Sequence, residues 1–144
     1  MNIHDIRNEV EKDIKIDKTN LDYEATVIPQ QHNKYLCMLT DEKLIYSKYI
    51  SELNVLKRNK WLYYSGKISE EQLSELGWEP FELAILRQDL DKFIDSDKDV
   101  IEMNLKITLQ KEKIDYLESV IKAVSNKMWA VRAAIDWIKF TQGM

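Results

Sequence analysis

The strongest pattern in the sequence is a seven-residue repeat of apolar side chains in its C-terminal third. One position of the repeat is filled by Val100, Ile107, Ile114, Ile121, Met128 and Ile135, and the position three residues further on by Met103, Gln110, Leu117, Val124, Val131 and Ile138. Gln110 is the single polar residue in this set. A repeat sustained over so many turns predicts a long helix with a supercoiled apolar seam. Asp97 lies where the N-cap of that helix is expected.

The pattern leaves the partner of this seam open. The helix predicted over residues 30–65 can fold back on it as a hairpin, or other copies of the chain can pack against it. Beyond Tyr116 the apolar stripe widens to include Val120, Ala123 and Trp137. A helix that is apolar over so wide an arc needs more than one partner, so both arrangements can coexist. We therefore expect self-association through Ile107, Ile114, Leu117, Ile121, Val124, Met128, Val131, Ile135 and Ile138.

Helical periodicity also covers the N-terminal half of the chain. Apolar residues at helical spacing predict a short amphipathic helix over residues 2–15, with Asn2 as its N-cap. A second helix begins near Leu21, and Pro29 either kinks it or opens a new helix. Nothing interrupts the pattern from there to Ser65, and Gly66 is placed to end the helix in the left-handed conformation.

The stretch 67–95 is acidic and has little periodicity. It contains a capping-box pattern that starts at Ser69 and a break between Gly77 and Pro80, which predicts short helices joined by loops. The sequence as a whole thus predicts an all-α fold with long helices. We divide it into an N-terminal helical region, 1–95, and a C-terminal oligomerisation helix, 96–144.

The composition excludes several classes of protein. Three glycines in 144 residues cannot form a glycine-rich phosphate loop. A single cysteine, Cys37, cannot form an internal disulfide, and with no signal peptide we expect an intracellular protein. Two histidines with that cysteine do not make a metal site. No apolar run approaches the roughly 20 residues of a membrane helix. We expect no cofactor, no bound metal, no catalytic residues and no membrane contact.

The net charge of −4 conceals a strong segregation of charge. Residues 43–67 carry six basic residues and one acidic residue, whereas residues 68–104 carry three basic and eleven acidic residues. A polyanion responds to the field within about 10 Å at 0.1 M salt, so the local excess matters more than the average. The basic block is also rich in aromatic residues.

On a helix, Lys57, Lys60, Trp61 and Tyr64 lie within one arc, with Arg58 further round. Cations bind phosphates and aromatic rings stack on unpaired bases, so this combination is typical of single-stranded nucleic-acid binding. The candidate DNA-binding residues are Lys57, Arg58, Lys60, Trp61, Tyr64 and Lys67. The alternative is an ordinary helix end, in which the aromatic residues are buried and the lysines are solvated.

Three sequence blocks carry a resemblance to a known family. They are Asp17-x-Thr19-x-Leu21-x-Tyr23-Glu24-Ala25, the basic pair Arg58 and Lys60 leading into Tyr63-Tyr64-Ser65-Gly66, and Ser96-Asp97-Lys98-Asp99-Val100. In their order and separation the chain resembles the recombination mediators of tailed phages, the UvsY-like recombination, repair and single-stranded-DNA-binding proteins. The stretch 67–95 is longer and more acidic than this family leads one to expect.

The resemblance implies a function that the residue patterns alone do not supply. It implies a ring-like homo-oligomer, a hexamer or heptamer, assembled through the C-terminal region. The family's DNA-contacting basic pair falls on Arg58 and Lys60. The implied partners are single-stranded DNA, a strand-exchange recombinase and a single-strand-binding protein, in the cytoplasm of the infected host cell. The alternative is a structural coiled-coil scaffolding or adaptor module that binds no nucleic acid.

Overall fold

In the computed structural model, which describes residues 1–143, all regular secondary structure is helical, with no strand among those residues. The elements are α1 Ile3–Ile14, α2 Leu21–Tyr64, α3 Glu70–Leu76, a 3-10 turn Arg87–Asp89, α4 Leu90–Asp95 and α5 Lys98–Thr141. The predicted all-α class is confirmed. Within the described part of the chain, no helix is both long enough and apolar enough to cross a lipid bilayer.

The ends of the helices follow the local sequence signals. The Asn2 side chain accepts a hydrogen bond from a first-turn amide of α1. Ser69 and Gln72 form the predicted capping box at the start of α3. Asp97 caps α5 by accepting hydrogen bonds from two amides of its first turn. Gly66 follows α2 with φ +75°, the left-handed conformation that glycine adopts without a steric penalty.

Helix α2 continues through Pro29, so of the two alternatives that the sequence left open, the proline lies inside one helix and does not begin a new one. Proline lacks an amide hydrogen and removes one helical hydrogen bond. Buried side chains on either side of it, Ile28 and Tyr35, hold the helix in place through tertiary packing. Packing therefore outweighs the local preference of Pro29 here.

The described residues form two compact units. Unit 1 combines residues 1–44 with the part of α5 that starts at residue 111, and unit 2 is residues 45–110. Both boundaries fall inside the long helices, so these units do not coincide with the division at residue 95 that the sequence suggested. The division into 1–95 and 96–144 remains a prediction about which region binds DNA and which region assembles, and the compact units of the structure are divided differently.

Unit 1 is a three-helix arrangement in which α5 runs parallel to α1 and antiparallel to α2. Two lysines of α5 show this order. Lys113 Nζ lies 2.9 Å from Met1 O and 3.3 Å from Glu42 Oε2. Lys127 Nζ lies 2.9 Å from Asp13 O and 3.3 Å from Glu24 Oε2. Helix α5 therefore packs back along α2 as a hairpin, which is one of the two arrangements that the sequence left undecided.

Much of the α5 seam is buried inside a single chain. Ile114, Leu117, Val124 and Val131 are at most 3% exposed, and unit 1 supplies buried apolar residues from α1 and α2. These four residues are among those predicted to mediate oligomerisation, and the structure buries them inside the hairpin of one chain, out of direct reach of a neighbouring subunit. Their burial within the hairpin stabilises the monomer.

We expect Lys127→Met to destabilise the protein by about 3–5 kcal/mol, because breaking a buried ion pair leaves its partner charge uncompensated. Lys127 is 5% exposed, and its ammonium also lies 3.2 Å from Gln31 Oε1. Urea unfolding followed by circular dichroism measures the change. The exposed Lys122→Met is the matched control and should change stability by less than about 0.5 kcal/mol. Equal stability of the two variants would contradict this account of unit 1.

Candidate nucleic-acid interface

The last turns of α2 have an inner and an outer side in unit 2. The inner side packs on a small core of Leu53, Ile94 and Val100. The partly buried residues around that core are Leu56, Tyr64, Met103 and Ile107. Because a helix turns by about 100° per residue, the predicted DNA-binding residues divide between these two sides.

Four of the six predicted residues lie on the outer side. Arg58 and Lys67 are exposed, Lys57 is half-buried, and Trp61 is 38% exposed. The ammonium of Lys67 lies 4.6 Å from the centroid of the Trp61 ring, so the turn after α2 brings this cation onto the aromatic residue. Among residues 1–143, Lys57, Arg58 and Lys67 form no ion pair. We call these four residues, Lys57, Arg58, Trp61 and Lys67, the outer basic face.

Lys60 lies on the inner side and is only 4% exposed. Its Nζ is 3.1 Å from Asp97 Oδ2 and 2.9 Å from Asp99 Oδ2. It also lies 3.8 Å from the centroid of the Trp78 ring. The structure thus encloses the Lys60 ammonium and does not present it to solvent with the other predicted DNA-binding residues.

Tyr64 is also part of the interior of unit 2. Its hydroxyl donates a hydrogen bond to Asp97 Oδ2. Its ring meets Phe81 and Phe93 at centroid distances of 4.9 and 5.8 Å. Tyr63 and Trp78 complete this aromatic cluster, which attaches the loop after α3 to the end of α2. Tyr64 is thus partly buried, with its ring packed against other aromatic side chains of unit 2.

Asp97 joins these groups electrostatically. Burial alone would raise its pKa, but the hydrogen bonds from Tyr64 and Lys60 outweigh that effect, so the pKa of Asp97 lies below its usual range. Burial, together with the hydrogen bond to Asp97, raises the pKa of the Tyr64 hydroxyl. At neutral pH the cluster therefore holds an ionised carboxylate and a protonated phenol.

Sequence reasoning missed the roles of Trp78 and Asp97 in this cluster. Asp97 was identified only as an N-cap, and its Oδ1 does accept the two capping amide bonds. Its second oxygen binds Lys60 and Tyr64, which lie more than thirty residues earlier in the chain. No local spacing signals such a contact.

Among residues 1–143 there is no group of three or more histidine, cysteine or carboxylate side chains placed to hold a metal ion. Asp97 and Asp99 resemble the opening of a calcium loop only in their sequence spacing. In the structure they bind the Lys60 ammonium.

The C-terminal part of α5 carries a second exposed surface, within unit 1. Trp129, Trp137 and Phe140 are 64%, 65% and 76% exposed, and the rings of Trp137 and Phe140 stack at 5.9 Å. We call these three residues the aromatic face. Of the remaining predicted oligomerisation residues, Met128 is exposed, and the partly buried ones are Ile107, Ile121, Ile135 and Ile138.

Comparison with known proteins identifies the family. The family model for the recombination, repair and ssDNA binding protein UvsY matches residues 9–144. The recombination protein uvsY of Enterobacteria phage T4 is 23% identical over 143 residues, and the match covers 99% of each chain.

Solved structures agree with the fold. A crystal structure of the bacteriophage T4 recombination mediator protein UvsY superimposes with a TM-score of 0.84 at 21% identity, covering 99% of this chain and 98% of that one. A second lattice form of the same protein gives a TM-score of 0.85 over 97% and 99% of the two chains. At this level of identity the structural likeness establishes the fold.

We expect acid to destabilise the protein partly through Asp97. A carboxyl whose pKa is lower in the folded state contributes stability above its unfolded pKa, and that contribution is lost as pH falls through the folded pKa. The free energy of unfolding, measured in urea from pH 7 to pH 3, should therefore fall below about pH 4. Asp97→Asn should give a lower and flatter curve. The exposed Asp136→Asn is the control, and a curve for Asp97→Asn parallel to that of the parent would contradict the assignment.

Proposed function

Because the chain belongs to the UvsY family of recombination, repair and single-stranded-DNA-binding proteins, we propose that it is a recombination mediator. It binds single-stranded DNA as a homo-oligomer and promotes the loading of a strand-exchange recombinase onto strands coated by single-strand-binding protein. The observation that carries this proposal is the outer basic face, whose cations lack carboxylate partners within the described chain and flank a half-exposed indole ring. The proposed location is the cytoplasm of the infected host cell.

The outer basic face suits a single strand because it offers both kinds of contact that such a strand uses. Lys57, Arg58 and Lys67 provide cations for phosphates, and Trp61 provides a ring for an unpaired base. Stacking contributes roughly 1–3 kcal/mol per base and depends little on base identity. In a duplex the bases already stack on one another, so we expect single strands to bind more tightly than duplexes.

One subunit offers few phosphate contacts, so strong binding requires several subunits on one strand. Linked sites raise overall affinity by roughly 10²–10⁴-fold without any new contact. We propose that the chain assembles through α5 into a ring of six or seven subunits. The aromatic face supports this, because exposed tryptophan and phenylalanine side chains on one helix are typical of a surface that packs against another protein.

Because much of the α5 seam is buried, only part of the predicted set of residues can contact a neighbouring subunit directly. Met128 and the aromatic face are exposed, while Ile121, Ile135 and Ile138 are partly exposed, and all are available to a neighbouring subunit. Ile114, Leu117, Val124 and Val131 act indirectly, because they hold α5 in the hairpin that presents the aromatic face. Ile107 packs beside the core of unit 2.

The mediator role follows from holding one strand at several points. A ring that binds the strand through repeated outer basic faces bends it and weakens the grip of the single-strand-binding protein already there. The same ring raises the local concentration of the recombinase that it contacts. No covalent step is required of the mediator itself.

We expect the double substitution Lys57→Ala with Arg58→Ala to weaken binding of an oligo-dT strand. Each lost phosphate contact reduces the slope of log K against log salt by about 0.7, so the slope should fall by roughly 1.4. Fluorescence polarisation over a salt series measures this. Lys12→Ala with Lys18→Ala removes two exposed cations elsewhere and is the control. Parent-like binding by the Lys57 and Arg58 variant would show that the site lies on other residues.

We expect Trp137→Ser with Phe140→Ser to reduce the number of subunits in the assembly, because it removes apolar area from the aromatic face. Native mass spectrometry measures the subunit number, and circular dichroism should show unchanged helicity. Affinity for oligo-dT should fall through lost avidity. The control, Leu83→Ser with Leu86→Ser, changes exposed leucines outside α5. If the Trp137 and Phe140 variant kept the full number of subunits, the aromatic face would not be the assembly surface. If the parent and all variants formed rings but none bound DNA, a purely structural module would be favoured.

A further inference from the structure

Unlike the cations around it, Lys60 has its charged group surrounded by carboxylates and an aromatic ring of unit 2. Asp97 and Asp99 each lie within 3.1 Å of its ammonium, and Trp78 covers it at 3.8 Å. The Lys60 side chain is 6% exposed. To reach a phosphate, the ammonium would have to leave two carboxylates, one of which is itself buried. Uncompensated buried charge is strongly unfavourable, so such an exchange is disfavoured.

The position of Lys60 nevertheless links it to the outer basic face. It lies in the same turn of α2 as Arg58 and immediately precedes Trp61. Its ion pairs fix that turn against the start of α5, where Asp97 caps the helix. The orientation of Arg58 and Trp61 therefore depends on the ion pairs of Lys60, in which neither residue takes part.

Charge neutralisation is the second consequence of this contact. Asp97 and Asp99 carry two negative charges close to the turn that bears the outer basic face, and the Asp99 side chain is 47% exposed. Without Lys60 these carboxylates would repel a phosphate backbone over a distance comparable to the Debye length of about 10 Å at 0.1 M salt. The single positive charge of Lys60 neutralises one of these two negative charges and so weakens that repulsion.

We propose that Lys60 is a positioning and charge-neutralising residue for single-strand binding, and that it does not contact the DNA backbone. This inference rests on the proposed function of the outer basic face. It assigns different roles to Arg58 and Lys60, which the family resemblance pairs as DNA contacts. Arg58 binds phosphate, whereas Lys60 orients the turn and screens Asp97 and Asp99.

The test compares Lys60→Met with Arg58→Met in the full-length protein, using oligo-dT polarisation over a salt series and urea unfolding. Each variant loses one positive charge and keeps an unbranched side chain. Arg58→Met should reduce the salt slope by about 0.7 and keep the unfolding midpoint. Lys60→Met should lower the midpoint and weaken binding by roughly two- to tenfold at low salt. Because salt screens the exposed repulsion, the slope should fall somewhat, but by less than the roughly 0.7 of a lost phosphate contact. A slope reduced by Lys60→Met as much as by Arg58→Met, with an unchanged midpoint, would overturn the inference.

Asp99→Asn separates screening from a purely structural effect. Added to Lys60→Met, it should recover at least half of the lost binding energy without restoring the unfolding midpoint. Added to the parent protein, it should change the salt slope by much less than the roughly 0.7 of one phosphate contact, because Asp97 still holds the Lys60 ammonium. If Lys60 contacted phosphate, Asp99→Asn in the parent would free the ammonium and steepen the slope, and the double variant would show no recovery.

The single Asp99→Asn variant also decides the question if Lys60→Met does not fold, since it retains the buried Lys60–Asp97 pair. A slope change well below about 0.7 supports the inference, and a slope steeper by about 0.7, the value of one added phosphate contact, overturns it. Failure of the proposed function gives a different result, because neither the parent protein nor any variant would then bind oligo-dT.

Discussion

A buried ammonium is stable only where carboxylates neutralise it, and both units of this chain depend on one such contact. In unit 2 Lys60 is held by Asp97 and Asp99 at the start of α5. In unit 1 Lys127 is held by Glu24 of α2 and by a carbonyl of α1. In each case the lysine requires a particular alignment of two or more helices. Apolar packing tolerates small shifts along a helix, whereas these ion pairs specify the register.

This arrangement separates two kinds of cation that look alike in the sequence. Lys57, Arg58 and Lys67 keep their charge on the surface, while Lys60 uses its charge inside the unit. The surface cations form a local positive field in a chain whose net charge is −4. Since salt screens charge beyond about 10 Å, a strand at this face responds to the nearby lysines and arginine more than to the distant acidic residues.

Local features of the fold could be predicted from the sequence, and long-range ones could not. Asn2, Ser69, Gly66 and Asp97 act at helix ends because capping depends on residues within one turn. Pro29 was ambiguous because its cost is local and the packing that offsets it is not. The seam of α5 was read correctly as apolar. However, an internal hairpin and a contact between subunits require the same apolar residue types, so the sequence could not show what packs against the α5 seam.

The density of cations and aromatic residues directs attention to the end of α2, but the sequence does not show which of these side chains face solvent. In the structure four of the six predicted DNA-binding residues lie on the outer side of the helix. The inward positions of Lys60 and Tyr64 depend on Asp97, more than thirty residues away. The most direct measurement is the affinity of the purified protein for oligo-dT and for a duplex of equal length across a salt series. The account predicts tight binding of the single strand at low salt, weakening linearly in log K against log salt, with weaker binding of the duplex. No binding of oligo-dT at low salt would contradict it.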